Sequence, residues 1–151
     1  MLASTVYFAD PGALKDTLIN TLLVAQPTVF IGVPRVWEKM HKKMQEKAHN
    51  NGIIKTWIIE WAKAQALHYY RNKINGTNYK HWGYVFAKWL VFDKVKAVLG
   101  LNKCQIFATA AAPLNIDIKK YFLSLDMPLL EGYGMSECSG AHTITDINKY
   151  K

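Results

Sequence analysis

The sequence predicts a mixed α/β fold with a mostly parallel sheet and a helical insertion. Short runs of apolar, β-branched and aromatic residues, bounded by proline, glycine or small residues, lie on both sides of residues 36–99. Within residues 36–99, apolar residues instead recur every three or four positions, which is the period of an amphipathic helix. Strands separated by helical segments predict parallel pairing, because the chain must cross back before it starts the next strand.

The first predicted unit is a strand, a helix and a second strand. Residues 5–9 have the composition of a strand and follow no flexible leader, so we expect the chain to start inside a fold and to be a piece of a longer protein. Asp10 and Pro11 supply an N-cap and a first-turn proline for a helix that Pro27 ends. Residues 28–32 are β-branched and aromatic, which predicts the second strand.

The helical insertion is predicted to contain three helices, separated by asparagine-rich and glycine-containing breaks. Their expected bounds are residues 36–49, 53–74 and 81–99. Large aromatic residues recur at helical spacing in the second and third helices, and we expect both stripes to be buried as core packing. An acyl tunnel or a contact with a membrane surface stays open as an alternative for the tryptophans of this block. They are Trp57, Trp61, Trp82 and Trp89.

After Gly100 the strand and helix pattern returns. Residues 105–109 predict a strand, residues 116–125 a helix with Asn115 as its cap, and residues 128–130 another short strand. The simplest organisation is therefore one partial domain over the whole chain, with residues 36–99 inserted into it.

The composition limits the classes of protein to which this chain can belong. The 151 residues are 50% hydrophobic, which is enough for a core, and 19 basic against 11 acidic residues give a net charge of +8. This charge favours phosphate-bearing or anionic partners. Two cysteines do not make a disulfide framework, and the sequence contains no secretory signal or long apolar run. We therefore expect a cytoplasmic location, with peripheral contact at the endoplasmic reticulum membrane as an open alternative.

The most informative motif is Glu131-Gly132-Tyr133-Gly134-Met135-Ser136-Glu137, which follows a short apolar strand. Glycines let a ligand approach the backbone closely, an aromatic ring can stack on a base, a hydroxyl can bind a phosphate oxygen and a carboxylate can ligate Mg²⁺. These are the components of a nucleotide site. A tight turn with an incidental serine and glutamate is the alternative explanation.

A second motif, residues 107–114, ends a strand in small residues before a proline and a helix. In open α/β sheets, ligands bind beyond the carboxyl ends of the strands, so two such strand ends can form the walls of one crevice. Close packing between strand and helix explains the small residues equally well.

In this order, the two motifs resemble those of the adenylate-forming superfamily of acyl-CoA synthetases, luciferases and peptide-synthetase adenylation domains. Residues 133–137 resemble its Tyr-Gly-x-(Thr/Ser)-Glu motif, and Ala111-Ala112-Pro113-Leu114 resembles the end of its Gly-(Gly/Ala)-Ala-Pro-Leu strand, with Ala110 in place of a glycine. The segment from Gly32 to Lys39 resembles the segment after the second strand of the long-chain members. Val6-Tyr7-Phe8-Ala9 with the following Pro-x-Ala-Leu-Lys, and residues 136–142, are most similar to the bubblegum-type very-long-chain acyl-CoA synthetases.

The resemblance implies a long-chain fatty acid:CoA ligase that uses ATP, Mg²⁺ and CoA and forms acyl-CoA through acyl-AMP. It implies roles for the following residues: ATP binding by Ala111, Ala112, Glu131, Gly132, Tyr133, Gly134, Met135 and Ser136, catalysis by Ser136 and Glu137, and metal ligation by Glu137. The family's phosphate loop, Thr-Gly-Asp motif and catalytic lysine segment do not occur in these 151 residues. We therefore expect the chain alone to be inactive.

Two other functions compete with the ligase. A non-catalytic module that binds a partner or an anionic membrane through its basic helices is suggested by the lysines between residues 39 and 47. A nucleic-acid binder is suggested only by the net charge and the interspersed aromatic residues, and we expect no nucleic-acid partner because no recognition motif is present.

Overall fold

A computed structural model describes residues 5–9, 12, 17–49, 52–76, 79–134 and 143–144. Four strands form one sheet in the order β1 (Val29–Gly32), β2 (Ile106–Ala110), β3 (Leu129–Tyr133) and β4 (Thr143–Ile144). β1, β2 and β3 are parallel, and β4 pairs antiparallel to β3. The predicted α/β class with a mostly parallel sheet is confirmed.

The helices are α1 (Leu18–Ala25), α2 (Pro34–His49), α3 (Ile53–Ile74), α4 (Trp82–Ala87), a π-helical stretch (Lys88–Phe92), α5 (Asp93–Val98) and α6 (Ile116–Ser124). Helices α2, α3 and α6 agree closely with the predicted bounds, and a π-helical stretch divides the third predicted helix of the insertion. The predicted N-cap and first-turn proline of the first helix, Asp10 and Pro11, lie outside the described residues. The side chain of Asn115 accepts a hydrogen bond of 2.8 Å from the backbone N–H of Asp117, so the predicted N-cap of α6 is confirmed.

The predicted first strand is wrong. Residues 5–9 form no strand, and Val6, Tyr7 and Phe8 are exposed. A strand exists only when its backbone N–H and C=O groups pair with a neighbour. Within the described sheet, β1 is an edge strand that pairs only with β2, so residues 5–9 have no described strand beside them. The composition of residues 5–9 favours an extended segment, but a strand also needs a partner strand, which depends on the tertiary structure.

Helices α2 and α6 cover one face of the sheet. We call the buried apolar residues between these helices and the sheet the "sheet core". Trp37 of α2 is fully buried, and its ring packs edge-on against Phe30 and Phe122 at centroid distances of 5.2 and 5.1 Å. Phe107 and Leu129 complete this core from β2 and β3. The opposite face of the sheet is apolar and exposed at Val29, Ile31 and Ile106.

Helices α3 and α4 and the π-helical stretch form a second "helical-block core" together with Leu123 of α6. No strand occurs in the described residues between 36 and 99. That this block is an insertion into a single domain stays a prediction.

The expectation that the tryptophan stripes are buried is wrong. Trp57 is 79% exposed and Trp82 is 86% exposed, and Trp61 and Trp89 are also exposed. The buried faces of α3 and α4 instead present small side chains where the two helices meet. These are Ala62, Ala66 and Ala87, each fully buried.

Alanines let helix backbones approach closely, so the neighbouring tyrosines and Phe92 fill the core. Both faces of α3 are apolar, and periodicity alone does not say which of them a partner helix covers. None of the helices in the described ranges combines the length and the apolar character that a membrane span requires.

Candidate functional site

The two motifs of the sequence come together at the carboxyl ends of β2 and β3. In the parallel register, Thr109 lies beside Glu131 and Ala110 beside Gly132. Residues 111 and 112 follow the end of β2, and residues 133 and 134 lie at and just after the end of β3. We call residues 110–112 and 132–134 the "strand-end crevice". Its position is where open α/β sheets bind ligands.

The backbone of the crevice is unusual at Ala111. Its φ of 78° lies in the left-handed region, which costs a residue with a Cβ about 1–2 kcal/mol relative to ordinary conformations. Such conformations concentrate at functional sites, where the surrounding structure holds them in place.

Gly132 leaves space beside Ala110. A Cβ at Gly132 would meet the carbonyl oxygen of Thr109 at 3.9 Å and the Cβ of Ala110 at 4.0 Å, which are ordinary contacts. Among the described residues, packing therefore does not require a glycine here. The missing side chain instead leaves the strand end accessible, as close approach by a ligand would require.

Tyr133 is the last residue of β3 and is 60% exposed. Its ring is therefore available for stacking on a planar group. The predicted strand ended at Leu130, but β3 continues through Glu131, Gly132 and Tyr133. Thr109 and Ala110 of β2 pair with Glu131 and Gly132, and β4 pairs with Gly132 and Tyr133 from the other side. These motif residues are thus held in the sheet rather than in a loop. Gly134 follows the strand and is exposed.

The remaining motif residues, Met135, Ser136 and Glu137, lie outside the described residues. The predicted catalytic and metal-binding roles of Ser136 and Glu137 therefore stay predictions. Within the described ranges, no group of three or more His, Cys, Asp or Glu side chains is arranged to hold a metal ion.

Glu131 binds the loop that follows β2. Its Oε1 accepts a hydrogen bond of 3.1 Å from the backbone N–H of Leu114, and its Oε2 lies 2.8 Å from Nζ of Lys119 on α6. Burial acts to raise the pKa of Glu131, but these two partners stabilise the carboxylate and lower the pKa below its ordinary value. The carboxylate therefore connects β3 to both the second motif and α6. Its predicted contact with ATP is not tested by this geometry.

Two supporting residues were missed by the sequence analysis. Trp37 donates its indole N–H to the backbone carbonyls of Gly32 at 3.2 Å and Ala108 at 3.3 Å, so it connects α2 to the carboxyl-terminal parts of β1 and β2. Lys119 fixes Glu131. A tryptophan in the first turn of a helix that follows a strand, three residues after a proline, was the available signal for Trp37. Nothing local indicates Lys119.

The crevice and its supporting residues define a class: an α/β protein with an open crevice at the carboxyl ends of parallel strands. Sequence comparison gives the family. The chain belongs to the AMP-binding enzyme family, which matches over residues 1–151.

Several curated relatives are similar over nearly the whole chain. Long-chain-fatty-acid–CoA ligase ACSBG2 of Mus musculus is 41% identical over 150 residues, which cover 99% of this chain and 22% of the relative. The ACSBG2 ligase of Xenopus laevis is 47% identical over 139 residues, covering 92% and 19%. The ACSBG1 ligase of Rattus norvegicus is 40% identical over 147 residues, covering 97% and 20%.

The chain thus spans about a fifth of the length of the curated relatives it matches. No solved structure shows a significant match to it.

Proposed function

We propose that this chain is the part of a long-chain fatty acid:CoA ligase that contributes the adenylate-binding crevice. In the proposed reaction, a fatty carboxylate attacks the α-phosphorus of ATP, which gives acyl-AMP and releases pyrophosphate. The CoA thiol then attacks the acyl carbonyl and displaces AMP, which gives the thioester. The observation that carries the proposal is the register of β2 and β3, which brings both family motifs to one strand-end crevice.

The described residues have distinct roles in this proposal. Tyr133 stacks on adenine, because its ring is exposed at the end of β3. Ala111 and Ala112 line the wall between adenine and the acyl group, where larger side chains would fill the space. Glu131 and Trp37 act as positioning residues, because they hold the residue-114 loop, β1 and β2 in their relative places. Catalysis by such a site comes mainly from orientation and electrostatics.

Ser136 is proposed to bind a phosphate group, and Glu137 to ligate Mg²⁺. A bound magnesium ion would neutralise phosphate charge during adenylation. The donor set fits this ion, because Mg²⁺ takes oxygen ligands and Glu131, the nearby described carboxylate, is already engaged with Lys119 and Leu114.

The alternative of a non-catalytic interaction module is not favoured. The relatives that match 92–99% of the chain are named as ligases, and both family motifs are present here in the same order. The two central strands also place these motifs side by side, which an interaction module would not require.

Segment exchange tests the proposed activity. The 150 matching residues of the mouse relative would be replaced by this chain, and release of AMP measured with palmitate, ATP and CoA. We expect activity that depends on all three substrates. A folded, inactive exchange protein, with the unmodified relative active under the same conditions, would contradict the proposal.

Within the exchange protein, Tyr133→Ala should raise the KM for ATP roughly tenfold, which corresponds to about 1.4 kcal/mol of lost stacking. Tyr133→Phe should retain the wild-type value, because the ring is kept. Tyr79→Ala is the matched control, since Tyr79 is similarly exposed at 65% but lies in the helical block. An equal effect of both alanine substitutions would refute the stacking role.

Glu137→Gln should reduce adenylation far more than thermal stability, because it removes a ligating charge and keeps the side-chain shape. Parallel losses of activity and stability would indicate a structural role. We expect the 151-residue chain by itself to make no acyl-CoA, and ATP-dependent thioester formation by purified chain would overturn that expectation.

We also propose that the parent ligase is cytoplasmic and contacts the endoplasmic reticulum membrane peripherally through an "aromatic patch" of Trp57, Trp61, Phe86 and Trp89. Phe86 lies 6.2 Å from Trp61 and 6.1 Å from Trp89 between ring centroids, so these three rings are contiguous across α3, α4 and the π-helical stretch. Trp57 lies one helical turn before Trp61 on α3. Exposed tryptophans favour the membrane interface, and the net charge of +8 favours anionic lipid.

Co-sedimentation with phosphatidylcholine and phosphatidylserine vesicles tests the membrane contact. Trp57→Ser with Trp89→Ser should reduce binding, and neutralising Lys42, Lys43 and Lys47 should reduce its dependence on phosphatidylserine. Absence of binding at low salt would eliminate the contact.

A further inference from the structure

A second concave site lies among the helices, away from the strand-end crevice. It is a groove of about 870 Å³ bounded by residues of α1, α2, α3, α5 and α6. None of residues 110–112 or 132–134 lines it. Its size is that of a pocket for a small molecule, which is typically about 300–1,000 Å³. We call it the "lysine groove".

The floor of the groove is apolar. Residues from four helices contribute aliphatic or thioether side chains, among them Leu18, Val36, Met40, Met44, Ile59 and Val98. Met40 belongs to the sheet core, and Leu18, Val36 and Met44 pack against it, so the floor is part of a packed surface. Such a floor is suited to an alkyl chain, because removing methylene groups from water is favourable.

The rim of the groove is strongly basic. Six lysines from three helices line it, and Glu46 supplies the one carboxylate among its described lining residues. They are Lys39, Lys43, Lys47, Lys55, Lys63 and Lys94. Several positive charges around one cavity give it a positive potential, which attracts an anion of several charges.

Lys63 and two aromatic side chains meet beside the groove. Nζ of Lys63 lies 5.2 Å from the ring centroid of Tyr121, which lines the groove, and the ring of His41 packs on Tyr121 at 4.3 Å. Burial lowers the pKa of His41, and the charge of Lys63 lowers it further. Lys63 also forms an ion pair of 2.7 Å with Glu60, so part of its charge is already balanced.

An apolar floor with a polycationic rim selects a molecule that has one long chain and a head group with several negative charges. A fatty carboxylate and acyl-AMP each have a single negative charge, and ATP and free CoA have no chain. Among the compounds of the proposed reaction, only the thioester product combines an alkyl chain with the phosphates of CoA. We propose that the lysine groove binds long-chain acyl-CoA, at a site separate from the strand-end crevice; this inference rests on the proposed function.

The groove favours a single dissolved molecule over a bilayer. It is concave and walled by several helices, whereas a lipid surface is contacted by a protruding face such as the aromatic patch. The same chain therefore presents two different surfaces, one for a membrane and one for a soluble amphiphile.

Equilibrium binding to the purified 151-residue chain tests the proposal without requiring any catalysis. The probe is hexadecyl-CoA, a thioether that cannot be hydrolysed, used below its micelle concentration in calorimetric titration. We expect one bound probe per chain, and affinities for palmitate and for free CoA at least about tenfold weaker. Equal affinity for free CoA or for palmitate would overturn the proposal.

Two kinds of variant locate the binding. Lys47→Glu combined with Lys94→Glu should weaken hexadecyl-CoA binding at least about tenfold, while Lys42→Glu, on α2 but outside the groove, should not. Ala48→Trp places a large side chain at an exposed groove position, and Gln45→Trp is its control on the same helix outside the groove. Circular dichroism and thermal unfolding verify that each variant is folded.

Each outcome decides for or against the groove. Equal losses for Lys42→Glu and the groove lysines would show general attraction by net charge and overturn the proposal. Unchanged binding by a folded Ala48→Trp variant would place the probe elsewhere and also overturn it. Binding only in the presence of phosphatidylserine vesicles would assign the lysines to a membrane instead. Because the segment-exchange assay is independent of hexadecyl-CoA binding, failure of the groove and failure of the ligase proposal are distinguishable.

Discussion

Helices α5 and α6 end in the same backbone motif but use different residues in it. After α5, the N–H of Leu101 binds the carbonyl of Lys96 at 2.8 Å and the N–H of Gly100 binds that of Ala97 at 3.1 Å. Gly100 has a φ of 72° in this Schellman turn. A Cβ at Gly100 would lie 2.4 Å from the backbone carbonyl carbon of Leu22, so α1 leaves no room for any side chain.

After α6, Asp126 occupies the position that Gly100 has after α5. The N–H of Met127 binds the carbonyl of Phe122 at 3.0 Å, the N–H of Asp126 binds that of Leu123 at 3.1 Å, and Asp126 has a φ of 61°. Here the side chain is buried and forms a polar cluster. Its Oδ1 accepts hydrogen bonds from the hydroxyls of Tyr70 at 2.9 Å and Tyr84 at 2.7 Å, and its Oδ2 from Nζ of Lys96 at 2.8 Å.

The comparison shows that one backbone conformation can serve opposite needs. Gly100 is required because another backbone is too close, whereas Asp126 accepts the cost of a left-handed conformation because its carboxylate connects two cores. Phe122 and Met127 belong to the sheet core, while Leu123, Tyr70 and Tyr84 belong to the helical-block core. Lys96 participates in both turns, through its carbonyl in one and its ammonium in the other.

The largest effect is expected from Asp126→Ala, which leaves the buried ammonium of Lys96 and two hydroxyls without their acceptor. We expect a loss of about 3–5 kcal/mol in the free energy of unfolding, measured by urea denaturation. Addition of Lys96→Met should recover part of the loss, because it removes the unpaired charge. A loss below about 1 kcal/mol for Asp126→Ala would break the comparison, since the side chain would then contribute little.

Gly100→Ala should lower the free energy of unfolding by about 2–4 kcal/mol. The added Cβ would overlap with the backbone of α1, and alanine is unfavourable at this positive φ. Asp126→Gly sharpens the contrast, because it removes the same hydrogen bonds as Asp126→Ala. Glycine also adopts the positive φ of this turn without strain. It should therefore be less destabilising than Asp126→Ala. A Gly100→Ala variant as stable as the wild type would show that α1 can move away.

Alkaline pH should destabilise the interactions of the Asp126 turn but not those of the Gly100 turn. Burial, followed by the Asp126 carboxylate, raises the pKa of Tyr70 and of Tyr84 above the ordinary value of 10.0. A raised pKa contributes stability that is complete below pH 10 and is lost as the pH rises toward the folded-state value. For Tyr70 this is a loss of about 1.4 kcal/mol per pH unit above 10.

Urea denaturation at pH 9, 10 and 11 checks this dependence. Tyr70→Phe should reduce the steepness of the stability loss, whereas Tyr79→Phe, at an exposed position, should leave it unchanged. Identical pH dependence of wild type and Tyr70→Phe would contradict the assignment.

The smallest effect is expected at the third turn-like position, Ala111, whose φ of 78° is unfavourable but whose surroundings differ from both helix ends. Ala111→Gly removes the strain and adds flexibility to the unfolded chain, so stability should change by no more than about 1 kcal/mol. Thermal unfolding measures this change. A destabilisation above that value would mean that the methyl group of Ala111 packs as Asp126 does, within a cluster.

Local features of the sequence were sufficient for most elements. The bounds of α3 were predicted as residues 53–74 and observed as Ile53–Ile74, because glycine and asparagine breaks on both sides isolate one helical period. The Asn115 cap was predicted because capping depends on residues two or three positions apart. The family motifs were evident for the same reason, since each is a short contiguous string. Residues 5–9 were predicted wrongly because a strand depends on a distant partner.

The sequence by itself therefore determined the α/β class, the positions of the helices and central strands, and the motifs of the strand-end crevice, all of which depend on periodicity, capping and short spacing. Only the tertiary structure decided which faces are buried: small Ala62, Ala66 and Ala87 allow close helix packing, so the tryptophans face outward. It also decided that Asp126 joins Tyr70, at a separation of 56 positions, and that Lys119 fixes Glu131. Burial and pairing over such separations depend on how the completed chain packs, and no local pattern encodes them.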